Sequence, residues 1–329
     1  MPTTVRSFAK INLGLKIGPA RPDGFHDLRT VYQTIALYDV VSVEVQQGRG
    51  IEIRCADGRV PTNESNTCYK IAERVLRATR GGGKVVIDID KRLPVQGGLG
   101  AASSNAVATM VALERELGTS LTPQERLRIA AEVGSDLPLF LIGGTVLGVD
   151  RGQEVYPLQD FPGMHLVVVT PTIGVSTPKA FADWDEYVAD RAELTDSEAA
   201  GTIKLFAGAV YAWLNMGFHS QAEPASGVPA VGGDRAETPL LDLVRAGIEN
   251  DFEKVVFPEH PELREAKRVL EHEGAKYASL SGSGSSLYGL FDSAEHAKAA
   301  AERIASNGYA VVATKSLTRQ EYWEDLAGI

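Results

Sequence analysis

Between residues 84 and 118 an apolar run, a glycine-rich turn and a second apolar-periodic run follow one another closely, and together they specify a strand–loop–helix unit. The strand is Lys84-Val85-Val86-Ile87-Asp88-Ile89, and the loop begins at Pro94-Val95-Gln96-Gly97-Gly98-Leu99-Gly100-Ala101-Ala102-Ser103-Ser104-Asn105-Ala106. The helix behind it carries Val107, Met110, Val111 and Leu117 near one face and stops at Gly118. Three glycines let a backbone pass close to a bulky ligand, and a helix start leaves N–H groups unpaired at the positive end of the dipole. Ser103 and Ser104 add hydroxyls at the same place, so the patch suits phosphate. Taken alone, a serine-capped turn explains it about as well. No lysine lies in the loop, so the Gly-x4-Gly-Lys-Ser/Thr pattern is absent and any nucleotide is held by another architecture.

A chain of 329 residues allows one large domain or two ordinary ones, and 44% apolar residues suffice for a real core. The net charge of −10 argues against a general binder of nucleic acid or anionic membrane, while leaving room for an anionic small substrate where Lys and Arg gather. Cys55 and Cys68, the two cysteines, make neither a disulfide framework nor a four-ligand zinc site. They read as ordinary, partly buried thiols in a reducing cytoplasm. No apolar run approaches a membrane span, and Met-Pro-Thr-Thr-Val-Arg lacks a signal-peptide core, so the expectation is a soluble cytoplasmic protein.

The first 60 residues read as strands. In Phe8–Ile17, the residues Ile11, Leu13, Leu15 and Ile17 share one face, with Lys10, Asn12, Gly14 and Lys16 on the other. The alternating runs 41–45 and 51–55, with a Gly-rich turn between them, predict a hairpin. Residues 66–78 read as helix, and Thr122-Pro123-Gln124-Glu125 is a capping box opening a helix that ends near Gly134. Residues 143–157 read as turns, 165–170 as a short buried strand, and a domain boundary falls near 155–165. Beyond it the chain reads as mostly helical to about 274, followed by strands at 278–291 and 310–315 around a helix at 294–307. Residues 219–239, crowded with Pro, Gly, Ala and Ser, read as a surface excursion.

Several residues carry possible chemistry. On local sequence alone Lys10 is a solvated strand residue and Asp136, in Gly134-Ser135-Asp136-Leu137-Pro138, is a helix N-cap. Paired, they become a carboxylate that accepts a hydroxyl proton and an ammonium that keeps it ionised and neutralises a transferring phosphoryl group. His26, in Arg21-Pro22-Asp23-Gly24-Phe25-His26, is an ordinary residue after a turn or a ligand contact. Leu280-Ser281-Gly282-Ser283-Gly284 is a tight bend or a second backbone-close ligand loop.

In this order, Ala9-Lys10-Ile11-Asn12-Leu13, the loop from Pro94 to Ala106 and Leu280–Gly284 resemble the three motifs of the GHMP kinases. Within them, the segment 21–26, Val133-Gly134-Ser135-Asp136-Leu137-Pro138 and Gly143-Gly144-Thr145-Val146 are similar to phrases of the 4-(cytidine 5′-diphospho)-2-C-methyl-D-erythritol kinases of non-mevalonate isoprenoid synthesis. Similarity covers roughly residues 5–180 well and 248–292 more thinly. The resemblance implies an α/β (α+β) fold of two domains, 1–160 and 161–329, the second with an inserted loop at 219–239, and an active site in the cleft between them. It implies ATP with Mg2+, transfer to the substrate's 2-hydroxyl, and a small-molecule partner for a monomer or homodimer.

The same resemblance makes Asp136 the base and Lys10 its charged partner. It places Pro94, Gly97, Gly98, Leu99, Gly100, Ala101, Ala102, Ser103 and Ser104 around the ATP phosphates. His26 reads the cytosine edge, with Phe25 or Tyr32 and Phe181 (in Thr177-Pro178-Lys179-Ala180-Phe181) packing on the ring. Asn12 holds the substrate tail, and Thr177, Gly282, Ser283 and Gly284 complete the substrate side. No metal ligand is identified, the metal resting on the phosphates. Phe25 stands where the family usually has Tyr, Gln96, Ala101 and Ala102 stand where glycines are common, and the tail from Ser316 extends past the usual pattern. The alternatives are another GHMP small-molecule kinase of mevalonate, homoserine or sugar type, or a GHMP-fold binding protein without turnover.

Overall fold

Long alternation at the start of the chain gives β1 (Thr3–Ala20) and β2 (His26–Gln46), antiparallel partners joined by a turn at Pro22 and Asp23. The computed structural model describes residues 1–161, 163–189 and 249–326; the excursion expected at 219–239 lies outside them. The β1–β2 register shifts between Phe8 and Ala9 and again between Asn12 and Gly14, which brackets Lys10 and Asn12 with irregularities that re-aim side chains. Both faces of β1 are buried, so Lys10 and Asn12, at 3% and 2% exposure, are interior groups rather than a solvated strand face.

The first sheet runs β3-β4-β2-β5-β6, with β1 on β2. Its order corrects the expected hairpin. β4 (Lys84–Asp90) lies between β2 and β3 (Gly50–Cys55), antiparallel to the former and parallel to the latter. Helix α1 (Thr67–Thr79) makes the crossover. Local alternation and a glycine turn signal a hairpin, but the near-continuous apolar run of β4 suits a central strand that two neighbours share. Residues 143–157, expected as turns, form the hairpin β5 (Thr145–Val149) and β6 (Glu154–Pro157). The glycine within β5 is required by packing: a Cβ on Gly148 would stand 2.4 Å from the Tyr32 ring.

Helix α2 (Ala101–Glu116) packs on β1, β2 and α1 and is buried on most sides, a broader contact than one apolar face implied. α3 (Pro123–Val133) opens with the expected Thr122/Glu125 capping box. The four-residue α4 (Leu137–Phe140) follows and is wholly buried. Cys68 lies in this core, where burial pushes its thiol up to about 12, while Cys55 is half-buried.

A second sheet, β10-β7-β9-β8, is antiparallel throughout, built from β7 (His165–Val169), β8 (Tyr277–Leu280), β9 (Leu287–Phe291) and β10 (Val311–Lys315). The expected strand 278–291 is thus two strands around the Ser/Gly loop. Helices α5 (Thr177–Ala189), α6 (Glu253–Glu259), α7 (Pro261–His272) and α8 (Ala294–Ser306) supply the second sheet's core. A third cluster joins the sheets: Ile11, Leu13, Val31 and Ile35 of the first meet Leu166, Val168, Tyr288 and Leu290 of the second.

The chain then returns to the first sheet. Leu317 N–H donates to Thr34 O at 2.9 Å, and α9 (Arg319–Leu326) buries Tyr322 and Leu326 in the first core. Tyr322 donates to Phe140 O at 2.7 Å and Trp323 donates to Ile142 O at 2.9 Å, so the tail satisfies carbonyls at the end of α4. Tyr322→Ala should cost about 3–5 kcal/mol in urea unfolding, combining lost burial with an orphaned carbonyl. A loss under about 1 kcal/mol would show that the tail folds apart from the core.

Candidate active site

Two hydrogen-bonded clamps fix the phosphate-loop candidate. At its entrance the buried Asp39 carboxylate accepts from Arg92 N and Leu93 N, both at 2.7 Å, from Lys91 Nζ at 2.8 Å and from Asn105 Nδ2 at 3.0 Å. At its tip Leu99 anchors its side chain between the sheets, while its carbonyl accepts from Lys10 N at 3.0 Å. Gly98 has φ +74°, and a Cβ there would stand 2.1 Å from Ser281 O. The Gly/Ser loop at 281–286 is therefore interlocked with the first loop. Ser281 Oγ donates to Gly98 O at 3.0 Å, and Ser286 N donates to Gly97 O at 3.1 Å. Gly98→Ala should fold poorly or lose nucleotide binding, because neither backbone can yield cheaply. Native-like Tm together with unchanged ATP affinity would contradict that close approach.

Gly100 is the N-cap of α2 with no side-chain capping bond, which leaves the first-turn amides of Ala101, Ala102 and Ser103 directed at the loop mouth. Ser104 is corrected. Its hydroxyl is 2% exposed and accepts from Ser7 Oγ at 2.8 Å, so it ties α2 to β1 instead of offering a donor to phosphate. Ser103, one residue earlier in the first turn of α2, is half-buried.

Lys10 reaches Asp136. Its Nζ stands 3.6 Å from Asp136 Oδ2 and donates to Asn12 Oδ1 at 2.7 Å and Gly98 O at 2.9 Å. Burial pushes the Lys10 ammonium below its ordinary range, and the Asp136 carboxylate opposes this. Asn12 in turn donates to Thr30 Oγ1 at 2.7 Å, which fixes its orientation. Asp136 occupies the N-cap position of α4 without a capping bond, so its carboxylate is not used as a cap. It accepts instead from Tyr32 Oη at 3.1 Å, and burial with the adjacent carboxylate holds the Tyr32 phenol well above its usual range, as a standing donor. Tyr32 thus belongs with the carboxylate, its ring 5.7 Å from Lys10 Nζ.

Two cavities meet along Gly98, Gly100 and Ser103. One, of about 320 Å³, runs along the phosphate loop past Pro94 and Gly97 to Val60, Asn66, Cys68, Ile89 and Lys91. The other, of about 690 Å³, holds Lys10, Asn12, Phe25, His26, Tyr32, Asp136, Thr177, Phe181, Gly282 and Ser283. Both sizes suit nucleotide-scale ligands. In the second, Phe181 stacks on His26 (4.8 Å, 13°), Thr177 and Ser283 share a hydroxyl–hydroxyl bond of 2.7 Å, and the exposed ring of Phe25 lies under Arg151 at 4.6 Å. Gly284 shapes the interlocking loop and does not line the cavity. Among the described residues no cluster of three His, Cys, Asp or Glu is arranged for a metal.

Sequence reasoning missed Asp39, Asn66, Lys91, Arg151 and Asp185. Asp39, a charge inside an apolar strand run, was the legible one; Asp185 continues the four-residue spacing of Thr177 and Phe181; Arg151 carried no signal. No helix of the described residues is long and apolar enough to cross a membrane.

The chain is similar in sequence and fold to known proteins. The GHMP kinases N terminal domain profile matches residues 66–144 and the GHMP kinases C terminal profile residues 237–310. The chain is 36% identical over 287 residues to the 4-diphosphocytidyl-2-C-methyl-D-erythritol kinase of Solibacter usitatus, covering 87% of this chain and 80% of that one. It is 32% identical over 308 residues to the enzyme of that name from Acaryochloris marina, covering 92% and 91%. A solved 4-(cytidine 5′-diphospho)-2C-methyl-D-erythritol kinase superposes with TM-score 0.70 at 26% identity over 95% of this chain and 98% of that one. The Leishmania major mevalonate kinase superposes at 0.69 with 16% identity over 97% and 96%, a likeness of fold alone. The chain belongs to the 4-diphosphocytidyl-2-C-methyl-D-erythritol kinases, ATP-dependent phosphotransferases of the GHMP kinase fold.

Proposed function

We propose that the chain transfers the γ-phosphoryl group of ATP to the 2-hydroxyl of 4-(cytidine 5′-diphospho)-2-C-methyl-D-erythritol. The carrying observation is the Lys10–Asp136 pair, 3.6 Å apart, where a nucleotide-sized cavity along the phosphate loop meets a second cavity lined by His26 and Phe181. In this reading the two halves, 1–160 and 161–329, divide the work: the first holds ATP and the reacting groups, and the second closes the substrate side with Thr177, Phe181, Gly282 and Ser283.

Asp136 accepts the proton of the attacking hydroxyl, whose oxygen forms the new bond to phosphorus as the bond to the ADP oxygen breaks. The Tyr32 donor and the Lys10 ammonium keep the carboxylate aimed at one side of the cavity. Lys10 also faces the developing charge on the phosphoryl oxygens, in a buried setting where a charge acts strongly. The amides of Ala101, Ala102 and Ser103 and the Ser103 hydroxyl hold the triphosphate, and the apolar cavity beyond Pro94 takes the purine. Mg2+ would rest mainly on the phosphates, since the nearby donor set is sparse, and when bound it supplies charge neutralisation. Arg151 and Lys10 are the basic residues placed for the substrate diphosphate, and Asn12 for its polyol tail.

The other GHMP kinases need no base reader, which the His26–Phe181 stack supports here, and a non-catalytic binder has no use for the intact Lys10–Asp136 pair. ADP release measured with the cytidyl substrate, its uridyl analogue, mevalonate and homoserine separates these readings. The cytidyl substrate should exceed the uridyl analogue by roughly 10- to 100-fold in kcat/KM, because the wrong base leaves a buried polar group unpaired. Turnover of mevalonate or homoserine in preference to both would overturn the assignment.

A further inference from the structure

We infer that Asp185 is a positioning residue for His26, fixing which ring nitrogen carries the proton and so setting the preference for cytosine over uracil. The inference rests on the cytidyl reading above. Thr177, Phe181 and Asp185 recur every four residues on α5, and all three line the larger cavity. The first two hold the helix in place: Thr177 bonds Ser283, and Phe181 packs edge-on against Phe252 at 5.0 Å while stacking flat on His26. This brings Asp185 Oδ1 to 2.7 Å from His26 Nε2.

A carboxylate only accepts, so Nε2 must be the protonated nitrogen. In the neutral ring Nδ1 is then left with a lone pair. Cytosine presents an amino group at C4, and uracil presents a carbonyl oxygen at the same position. A lone-pair acceptor welcomes the first and repels the second. Without Asp185 the proton is free to move to Nδ1, where it would donate to the uracil oxygen and serve cytosine badly. His26 is 7% exposed, so a mismatched pair cannot be repaired cheaply by water, whereas Asp185 sits at the rim with its side chain 51% exposed. That exposure makes Asp185 replaceable without loss of the fold.

The test combines 15N NMR of histidine-labelled protein, with the His26 signals assigned by their loss in His26→Gln, and kcat/KM for the cytidyl substrate and its uridyl analogue. In the wild type His26 should be protonated on Nε2. In Asp185→Ala it should become a mixture of tautomers, and the cytidyl preference should fall by about tenfold, through KM for the cytidyl substrate and with kcat near the wild-type value. Asp185→Asn, whose amide oxygen can still accept, should retain most of the preference. An Nδ1-protonated neutral ring in the wild type overturns the inference without any variant. So does an Asp185→Ala protein that keeps both tautomer and preference, and in that case cytidyl kinase activity stands. Equal use of both bases by the wild type overturns the base-reading itself.

Discussion

Asp136→Asn should lower kcat by roughly 10²–10⁴-fold while leaving ATP affinity and Tm nearly unchanged. The substitution keeps size and one oxygen, so the bond from Tyr32 persists, but the amide cannot take the hydroxyl proton. Stability should fall only slightly, because the position makes no capping bond, the carboxylate is about one-third exposed, and Lys10 keeps its bonds to Asn12 Oδ1 and Gly98 O. A loss of only two- or three-fold would remove Asp136 as the base. A collapse of Tm with the activity would make it a structural group of α4.

Lys10→Met should cost about 10²–10³-fold in kcat, the scale seen when one preorganised charge-stabilising donor is removed. Its signature in stability is a pH slope. Burial holds the folded-state value of Lys10 below its ordinary 10.5, so between the two values the unfolded chain binds more protons than the folded one. Wild-type stability should therefore rise with pH across that window, relative to Lys10→Met, which has no such group. Urea unfolding of both proteins at pH 7 and near pH 10 measures the difference. A gap that does not change with pH would mean that the ammonium is not the buried, desolvated charge described above.

How much was legible follows from what each signal depends on. The strand–loop–helix unit at 84–118 and the capping box at Thr122 were readable because their causes are local: glycine backbone freedom, periodicity and an N-cap hydroxyl. Lys10 and Asp136 carried misleading local signals, since alternation made one a surface lysine and a place between a helix end and an apolar run made the other a cap. Their pairing was one open reading that spacing could not support and the resemblance favoured, and the β1 irregularities and the short helix α4 bring them together in space. Strand order escaped for the same reason. The run 51–55 prefers a partner by alternation alone, but which strand it meets depends on a helix and a strand still to come. Ser104 looked like its neighbour in sequence, yet one step along a helix is a turn of about 100°, enough to point it at Ser7 rather than at the loop.

Phosphoryl transfer between the two cavities onto one hydroxyl can be followed by 31P NMR of the purified chain with ATP, Mg2+ and the cytidyl substrate. A new phosphomonoester signal coupled to the 2-position of the substrate should grow in step with ADP and without inorganic phosphate. ADP accompanied only by inorganic phosphate, or a phosphomonoester at another hydroxyl, would contradict it.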